Sequence, residues 1–453
     1  MCALKYRVCV FVVLVAVLSV SVNAQRPSIR DGEVLTLEQA IELALRDNAQ
    51  VKNAAIDVSK AGEEFSASRT RRLPSFNFQA LGTQQLTPID FTFEKGVFGT
   101  YPGIGPVPGE NTKISTPMRP TAFFITQVNQ PLTQLHKINL NLKQLALKSD
   151  LAREELRAKH QQIVRDVKRA YFALLQTQSA LEAAEETVRM YKELDRVTGD
   201  YLAQEVVLKN EGLDVKSRVA RSEYDAMTLG DQLGVQKQQL NRLLGRDVLT
   251  DFSVTATPGA DTFESDLIAA RARALQQRPE TREARLKVKQ AETDRRIKKA
   301  EYIPEVSATF QHVATANYNS FIPRSYMNVG VTVSWEVFDW GRKRHELVEK
   351  DLATEQARNG VSDAESGVLI DVNDKFNKLK QSRQMLAVTQ LSRAAALENV
   401  RVHTNRYKVQ MSLLKDVLQA QSQLESANDQ GRQALLTYWT ARAEFETAIG
   451  EDK

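Results

Sequence analysis

The residue types that usually carry enzymatic chemistry are sparse in this chain and are not spaced for it. Its 453 residues include two cysteines and five histidines, and no two histidines have the spacing of a metal site. A glycine-rich phosphate loop and a nucleophile elbow are both missing from the sequence. We therefore expect no enzymatic activity, no bound metal and no cofactor. The histidines are His136, His160, His312, His345 and His403.

Charge and composition exclude several other classes. The net charge is +5, from 61 basic and 56 acidic residues that are interleaved along the chain, so we expect no nucleic-acid partner. Hydrophobic residues make up 42% and recur periodically, which argues against disorder. A mean hydropathy of −0.37 argues against a polytopic helical membrane protein.

Residues 1–24 have the pattern of a cleaved signal peptide. Lys5 and Arg7 precede the apolar stretch Val8–Val20, and Val22-Asn23-Ala24 supplies small residues before the cleavage point. An apolar run of about 13 residues is too short to span a bilayer about 30 Å thick, so a membrane anchor is the less favoured alternative. Cleavage would remove both cysteines. An exported chain of this kind either stays in solution or enters an outer membrane as β-strands.

Two long stretches without proline, 132–257 and 324–453, are predicted to be helical. Both are rich in strong helix formers, and their apolar residues recur at steps of three and four. Each stretch is predicted to form a hairpin of two long antiparallel helices. A helix of about 60 residues would be about 90 Å long at 1.5 Å per residue. This pattern favours a rod over a globule.

Four shorter segments are predicted to be β-strands because polar and apolar residues alternate along them. The clearest alternation runs over 324–337, and residues 319–324 are predicted to form the turn before it. The Gly/Pro-rich residues 84–120 are predicted to form a long loop between the first two strands. The four segments are 74–82, 121–130, 304–314 and 324–337.

The chain contains two similar halves, which predicts a first structural repeat at 25–257 and a second at 258–453. Each half has the order helix, strand, loop, strand and long helical hairpin. Gly245 and Gly450 each end the last helix of their half. The residues Leu37, Ala40, Ala44, Leu45 and Pro74 recur in the same order and spacing as Leu267, Ala270, Ala274, Leu275 and Pro304.

This layout predicts an assembly of several chains. The edges of a sheet in a bilayer must be paired, and the four strands of one chain are too few to enclose a pore. Several chains would have to share one barrel. The helices carry narrow apolar seams on polar surfaces, which is typical of helices that pack side by side around a shared axis.

From Leu35 to Gly450 the chain resembles the outer membrane efflux proteins, the TolC-like family. Its most characteristic segments are Trp335-Glu336-Val337-Phe338-Asp339-Trp340-Gly341-Arg342 and Tyr407–Ala420. The resemblance implies a mainly α fold with a membrane β-barrel: a homotrimer with four strands per chain in a twelve-stranded outer-membrane barrel, and helices that form a periplasmic tunnel. It also implies a passive duct of a tripartite efflux or type I secretion system. Its partners would be outer-membrane lipid, a periplasmic adaptor and an inner-membrane transporter.

The resemblance carries over a periplasmic gate only in part. Tyr407 and Asp416 match the family's tyrosine and first acidic position, whereas Gln419 stands where a second acid is expected. Asp214 lies at the comparable tip of the first hairpin. Three symmetry-related Asp416 carboxylates would attract cations, though less strongly than two acidic rings. The alternative for each acid is an ordinary solvated helix-surface carboxylate.

The end of the last predicted strand is rich in aromatic residues. Trp335, Phe338 and Trp340 are expected either to anchor at the membrane interface or to pack against the following helix. Asp339 and Gly341 are expected to shape the strand-to-helix turn. The whole predicted junction is Trp335, Phe338, Asp339, Trp340, Gly341 and Arg342.

The main rival interpretation is an exported coiled-coil scaffold or adaptor without a pore. An adaptor would more naturally have one helical hairpin between folded β domains, whereas this chain has two hairpins, each preceded by a strand pair. The sequence leaves open whether the cargo is a drug, a metal, another small molecule or a protein.

Overall fold

The computed structural model describes residues 34–88, 90–115, 118, 120–205, 208–255, 266–316, 324–409 and 411–451. The predicted signal peptide at 1–24, both cysteines and most of the predicted turn at 319–324 lie outside these residues. The described chain is mostly helical, which confirms the predicted helical class.

The elements follow one another in two similar series. The first comprises β1 (Val34–Leu35), α1 (Leu37–Asp47), α2 (Ala49–Arg69), a 3-10 turn (Thr70–Arg72), β2 (Ser75–Gln84), β3 (Asp90–Phe93), β4 (Thr100–Tyr101), β5 (Gly105–Pro106), β6 (Thr112–Ser115), β7 (Pro120–Pro131), α3 (Gln134–Ala203), α4 (Lys209–Leu244) and β8 (Ser253–Val254). The second comprises α5 (Leu267–Gln277), α6 (Pro279–Ala300), β9 (Glu305–Ala316), β10 (Ser325–Ser334), α7 (Arg342–Lys408) and α8 (Leu414–Ala448).

The two arms of each helical hairpin are unequal, whereas the sequence predicted arms of similar length. Helix α3 has 70 residues, about 105 Å at 1.5 Å per residue, but α4 has 36. Helices α7 and α8 have 67 and 35 residues. The long helices also contact α2 and α6, because α2 packs on α3 and α6 packs on both α3 and α7.

The first predicted helix of each half is broken in two. Between α1 and α2, the side chain of Asn48 accepts a hydrogen bond from Gln50 N at 2.8 Å and so caps α2. Between α5 and α6, Arg278 has extended backbone and Pro279 begins the next helix. Proline at the first helical position has no amide hydrogen to leave unpaired. The breaks turn α2 and α6 onto the long helices.

Strands β2, β7, β9 and β10 form one antiparallel sheet in the order β10-β9-β7-β2. They coincide with the four predicted segments, except that β10 ends at Ser334 and the predicted strand reached residue 337. The residues 84–120 differ from the predicted loop. Gln84 and Pro120 belong to strands, and the segment between them contains the pairs β3–β6 and β4–β5. Glycines with positive φ make the tight turns that these short strands need.

One face of the four-stranded sheet is largely apolar, and the other is polar over the half nearest the helices. Register places Phe76, Val128, Phe310 and Val329 in one row across it, because directly paired residues share a face. In β10 the same face carries Met327, Val329, Val331 and Val333, which are all exposed. The opposite face carries polar residues near the helices, including Ser75, Asn77, Gln79, Asn328, Thr332 and Ser334, and its rows farther from the helices also carry Leu81, Phe123, Ile125 and Val313.

Two buried clusters hold the helices together near the ends of α4 and α8. The first surrounds Tyr171, whose hydroxyl donates to the carbonyl oxygens of Leu35 and Thr255, each at 2.9 Å. The second surrounds Tyr438 between α5, α7 and α8. Trp439 packs against both clusters, so the two hairpins share a continuous core.

Among the described residues, no helix combines the length and the hydrophobicity needed to span a lipid bilayer.

Candidate functional site at the hairpin tips

The tips of the two hairpins are joined by a small apolar cluster. Tyr191, Val215, Leu414 and Leu418 are buried there, and Tyr407 packs against them. These residues come from α3, α4, α7 and α8. The far end of the molecule is therefore held by a contact between hairpins, well separated along the helices from the central core.

A groove of about 1010 Å³ lies between the tips. It brings together three of the four residues predicted to form a gate, namely Asp214, Tyr407 and Gln419. Its lining also carries two positive charges, at Arg218 and Lys415, opposite in sign to Asp214. The groove is therefore polar and of mixed charge, and in a single chain it is not a purely acidic site.

Asp416, the fourth predicted gate residue, does not line this groove. Its carboxylate accepts hydrogen bonds from Leu413 N at 3.1 Å and from the Ser412 hydroxyl at 3.0 Å. The carboxylate lies in the first turn of α8, where a negative charge is favoured by the helix dipole. Asp416 thus stabilises the start of α8, whatever it contributes to conduction.

Tyr407 packs at the end of α7 with its hydroxyl group buried. Its ring meets that of Tyr201 edge to face, with centroids 6.5 Å apart. The hydroxyl has no hydrogen-bond partner among the described residues, and burial raises the pKa of the Tyr407 phenol. A buried hydroxyl without a partner costs about 1–3 kcal/mol. Tyr407 is therefore available to a hydrogen-bonding group that this chain does not supply in this arrangement.

Asp214 forms an ion pair with Arg218, with Nε 3.5 Å from Oδ2. Both side chains are substantially exposed, so the pair contributes about 0–1 kcal/mol. The pair is weak enough to be rearranged when the tips move.

Arg218 also belongs to a polar cluster that sequence reasoning missed. The Tyr191 hydroxyl donates to Glu425 Oε1 at 3.4 Å, linking α3 to α8, and the Arg218 charge acts on both groups. Burial raises the pKa of Glu425, and the neighbouring Asp429 raises it further. In the sequence, Arg218 and Glu425 resemble the many other charges on these helices, so no spacing distinguishes them.

At the strand-to-helix junction, the aromatic residues are exposed and do not pack into the following helix. Trp335, Phe338 and Trp340 are 56%, 69% and 88% exposed. The rings of Phe338 and Trp340 meet edge to face at 4.7 Å. In the single chain these side chains are largely exposed, and their role at a membrane interface stays a prediction.

The turn itself is built by Asp339, Gly341 and Arg342. The Asp339 carboxylate accepts from Gly341 N at 3.1 Å and Lys343 N at 2.9 Å, and the bond from Lys343 N–H lowers the pKa of Asp339. Gly341 has a φ of 84°, which favours glycine. Arg342 forms an ion pair with Glu336 at 2.6 Å. These contacts redirect the chain from the sheet into α7.

Comparison with known proteins places this architecture among channels of the outer membrane. The family model of the outer membrane efflux protein matches residues 40–246 and 270–451. The chain is 22% identical over 438 residues to the toluene efflux pump outer membrane protein TtgC of Pseudomonas putida, covering 91% of this chain and 82% of that protein.

Two solved structures share the fold. The Campylobacter jejuni CmeC outer membrane channel gives a TM-score of 0.75 at 15% identity, over 92% of this chain and 86% of that one. The open state of the Neisseria gonorrhoeae MtrE outer membrane channel gives 0.70 at 15% identity, over 91% and 88%. Together with the family match across both halves, these findings show that the chain belongs to the outer membrane efflux protein family.

Proposed function

We propose that three copies of this chain form one outer-membrane channel. The channel passively conducts cargo that an inner-membrane transporter delivers through a periplasmic adaptor, in a tripartite efflux or type I secretion system. The N-terminal segment 1–24 directs export and is removed. Membership of the family supports this function, and the architecture explains how the chain performs it.

The proposal rests on the four-stranded sheet, which, in the part of the chain that the structure describes, has unpaired edges and two faces of different polarity. Among the described residues, β2 and β10 each pair along one edge only. One face is largely apolar, and the other is polar over the half nearest the helices. In a barrel the first face would contact lipid, and the second would face a water-filled lumen. Three sheets of four strands give twelve, enough for an open lumen, and pairing β10 of one chain with β2 of the next removes every free edge.

The helices supply the periplasmic part of the duct. Helix α3, about 105 Å long, packs against both α2 and α4. The same arrangement recurs for α7 with α6 and α8. We attribute the two series to duplication of one unit, with repeats at 25–257 and 258–453. The two separately matched ranges support this division.

The hairpin tips are the proposed gate of the tunnel. Asp214, Tyr407 and Gln419 line the groove between the tips, and Asp416 lies one turn from Gln419. The weak Asp214–Arg218 pair and the unpaired Tyr407 hydroxyl are contacts that can be exchanged when the tips separate. Three-fold repetition of the Asp416 carboxylate would favour cations at the entrance.

Planar-bilayer recording of the purified protein tests the proposal. We expect discrete, long-lived conductance steps after addition of the folded protein and none after addition of the heat-denatured sample. A chain that fractionates with soluble periplasmic proteins and produces no steps would contradict it. That result would favour the pore-free scaffold.

A further inference from the structure

The turn between α2 and β2 carries an unusual concentration of positive charge. Arg69, Arg71 and Arg72 lie within four positions, and the sequence between Phe65 and Pro74 has no acidic residue. All three arginines are exposed. Among the described residues, none of their guanidinium groups forms an ion pair or a hydrogen bond with the protein. Their guanidinium groups are therefore free to bind an external anion.

The backbone of this turn is nevertheless fixed. Leu73 N donates to Thr70 O at 2.9 Å, and the side chain of Gln130 on β7 donates to Arg72 O at 3.1 Å. The Thr70 hydroxyl closes the end of α2 by donating to Ala67 O at 2.7 Å. The turn is thus a rigid platform attached to the sheet.

At two other junctions between a helix and the sheet, the basic side chains are paired with acidic ones. Lys137 at the start of α3 lies 3.7 Å from Glu305, and Lys343 at the start of α7 lies 3.2 Å from Glu336. Local neutralisation is therefore common at this end of the sheet, but it is not found at Arg71 and Arg72.

The second half of the chain provides an internal comparison. Counting back from the matching prolines, Pro74 and Pro304, the counterpart of Arg71 is Glu301. Glu301 forms an ion pair with Lys298, with Nζ 2.9 Å from Oε2. Two turns with the same place in the repeat therefore differ in charge, so the helix-to-strand geometry does not itself require the arginines.

Apolar residues adjoin the basic turn. Leu73 and Phe76 are 63% and 75% exposed, and Phe76 lies on the apolar face of the sheet. Positive charge beside exposed apolar side chains, at the end of a lipid-facing sheet, fits a membrane interface, where hydrocarbon meets phosphate groups. Arginine also matches phosphate oxygens in a bidentate manner.

We infer that the turn formed by residues 69–73 binds the headgroups of anionic phospholipids in the periplasmic leaflet of the outer membrane. The inference rests on the proposed function, which puts this end of the sheet at that leaflet. The group that the arginines would bind is a phosphodiester with a net negative charge. A diacyl phospholipid carries this group together with acyl chains that can contact Leu73 and Phe76. One copy of the turn per chain gives three such sites around the barrel.

Tryptophan quenching by brominated lipid tests this inference at the turn itself. Full-length mature protein with the substitution Leu73→Trp carries a reporter beside the arginines, while its native tryptophans give the same background in every variant. The protein is reconstituted in mixed phosphatidylcholine and phosphatidylglycerol, with bromine on the acyl chains of one lipid at a time. We expect phosphatidylglycerol to be preferred, and the preference to fall as salt is raised.

The double variant R71Q/R72Q in the same background should reduce the preference by up to about 30-fold, since each of the two basic residues near an anionic surface contributes about 1 kcal/mol and about 1.4 kcal/mol is a factor of ten. The matched control is R383Q/R393Q, which removes the same charge from exposed positions far along α7. The control should keep the wild-type preference.

The outcomes separate the inference from the proposed function. If neither brominated lipid quenches the reporter, the turn is not at a membrane and the proposed function fails with it. Equal quenching by both lipids in the parent overturns the inference alone. An unchanged preference in R71Q/R72Q also overturns the inference. If that variant keeps its preference but no longer forms trimers, the arginines contact a neighbouring chain and not lipid.

Discussion

At the scale of single residues, Asp416 has two separable roles. Its carboxylate accepts hydrogen bonds from Ser412 and Leu413 N, and its charge is proposed to attract cations. Asp416→Asn removes the charge but keeps an oxygen that can accept a hydrogen bond, whereas Asp416→Ala removes both. We expect both variants to lose cation preference, seen as a shift of the reversal potential toward zero in a salt gradient.

Both variants should lose the favourable interaction between the charge and the start of α8, and the alanine variant should lose more, about 0.5–2 kcal/mol, because it also loses the cap. Introducing a second carboxylate by Gln419→Glu should act in the opposite direction and strengthen cation preference. An unchanged reversal potential in both Asp416 variants would remove this residue from the gate.

Glu425 gives the hairpin contact a defined pH dependence. Because burial raises its pKa in the folded protein, the packed tips bind this proton more tightly than the unfolded chain does. The associated stability is fully present below the ordinary carboxyl pKa and is lost as pH rises through the raised value. The charged groups facing Glu425 are Arg218 from α4 and Asp429 from α8, with Tyr191 from α3.

We therefore expect Glu425→Gln to gain thermal stability relative to the wild type as pH rises from below 4.5. Melting temperatures of both proteins across that range measure the difference. The control Glu185→Gln replaces an exposed residue of α3, and its difference from the wild type should not follow the same curve. A constant difference for Glu425→Gln would show that this carboxyl group does not titrate in the contact.

At the scale of elements, two glycines decide how the hairpins meet the short helices. Gly245 has a φ of 71°, and an added Cβ would lie 2.3 Å from the carbonyl oxygen of Asp47. At Gly450, with a φ of 86°, the added Cβ would lie 2.9 Å from Cβ of Gln277. Both positions end a helix against the break between two short helices, so neither the turn nor the approach tolerates a side chain.

Gly245→Ala should therefore destabilise the protein. Left-handed backbone costs about 1–2 kcal/mol for a non-glycine residue, and displacing the α1–α2 turn adds to it. Gly360→Ala is the matched control, since Gly360 lies within α7 with nothing within 4 Å of an added Cβ. That variant should be more stable by about 0.5–1 kcal/mol. Urea unfolding of both proteins measures the contrast, and equal stabilities would contradict the packing described here.

The two faces of β10 provide another pair of opposite predictions. Val329 lies on the apolar face and Asn328 on the polar face, one position apart. Val329→Arg should impair insertion by about 2–4 kcal/mol if this face meets lipid, and Asn328→Arg should be tolerated if the other face meets water. Refolding into phospholipid vesicles, followed by gel mobility, compares them. Equal impairment of the two variants would show that the faces are not divided in this way.

The sequence predicted these elements unevenly, for physical reasons. Period-two alternation located β2, β7, β9 and β10 because successive side chains of a strand point to opposite faces of its sheet. The break at Asn48 was missed because a single capping side chain produces it. The unequal hairpin arms were missed because α2 and α6 cover the long helices from elsewhere in the chain, a tertiary contact that periodicity does not encode.

At the scale of the whole molecule, a single chain is incomplete in two respects. Within the part of the chain that the structure describes, its sheet has two free edges and a largely apolar exposed face, and its buried Tyr407 hydroxyl lacks a partner. Assembly around a three-fold axis would close the sheet and bring three sets of tips together. The sequence predicted, from the small number of strands, that one chain cannot close its sheet, but it did not predict the unpaired hydroxyl. It also did not predict that the Asp416 carboxylate accepts hydrogen bonds from Ser412 and Leu413 N instead of lining the groove, since helix position does not specify hydrogen bonding.

The central claim is that three chains make one conduit, and subunit counting tests it most directly. Two versions of the chain that differ only in tag mass are expressed together, purified in detergent and weighed by native mass spectrometry. A trimer predicts four particle masses, with the two mixed species between the two pure ones, and the same preparation should conduct in a planar bilayer. Two masses only, each equal to one chain, would contradict the account.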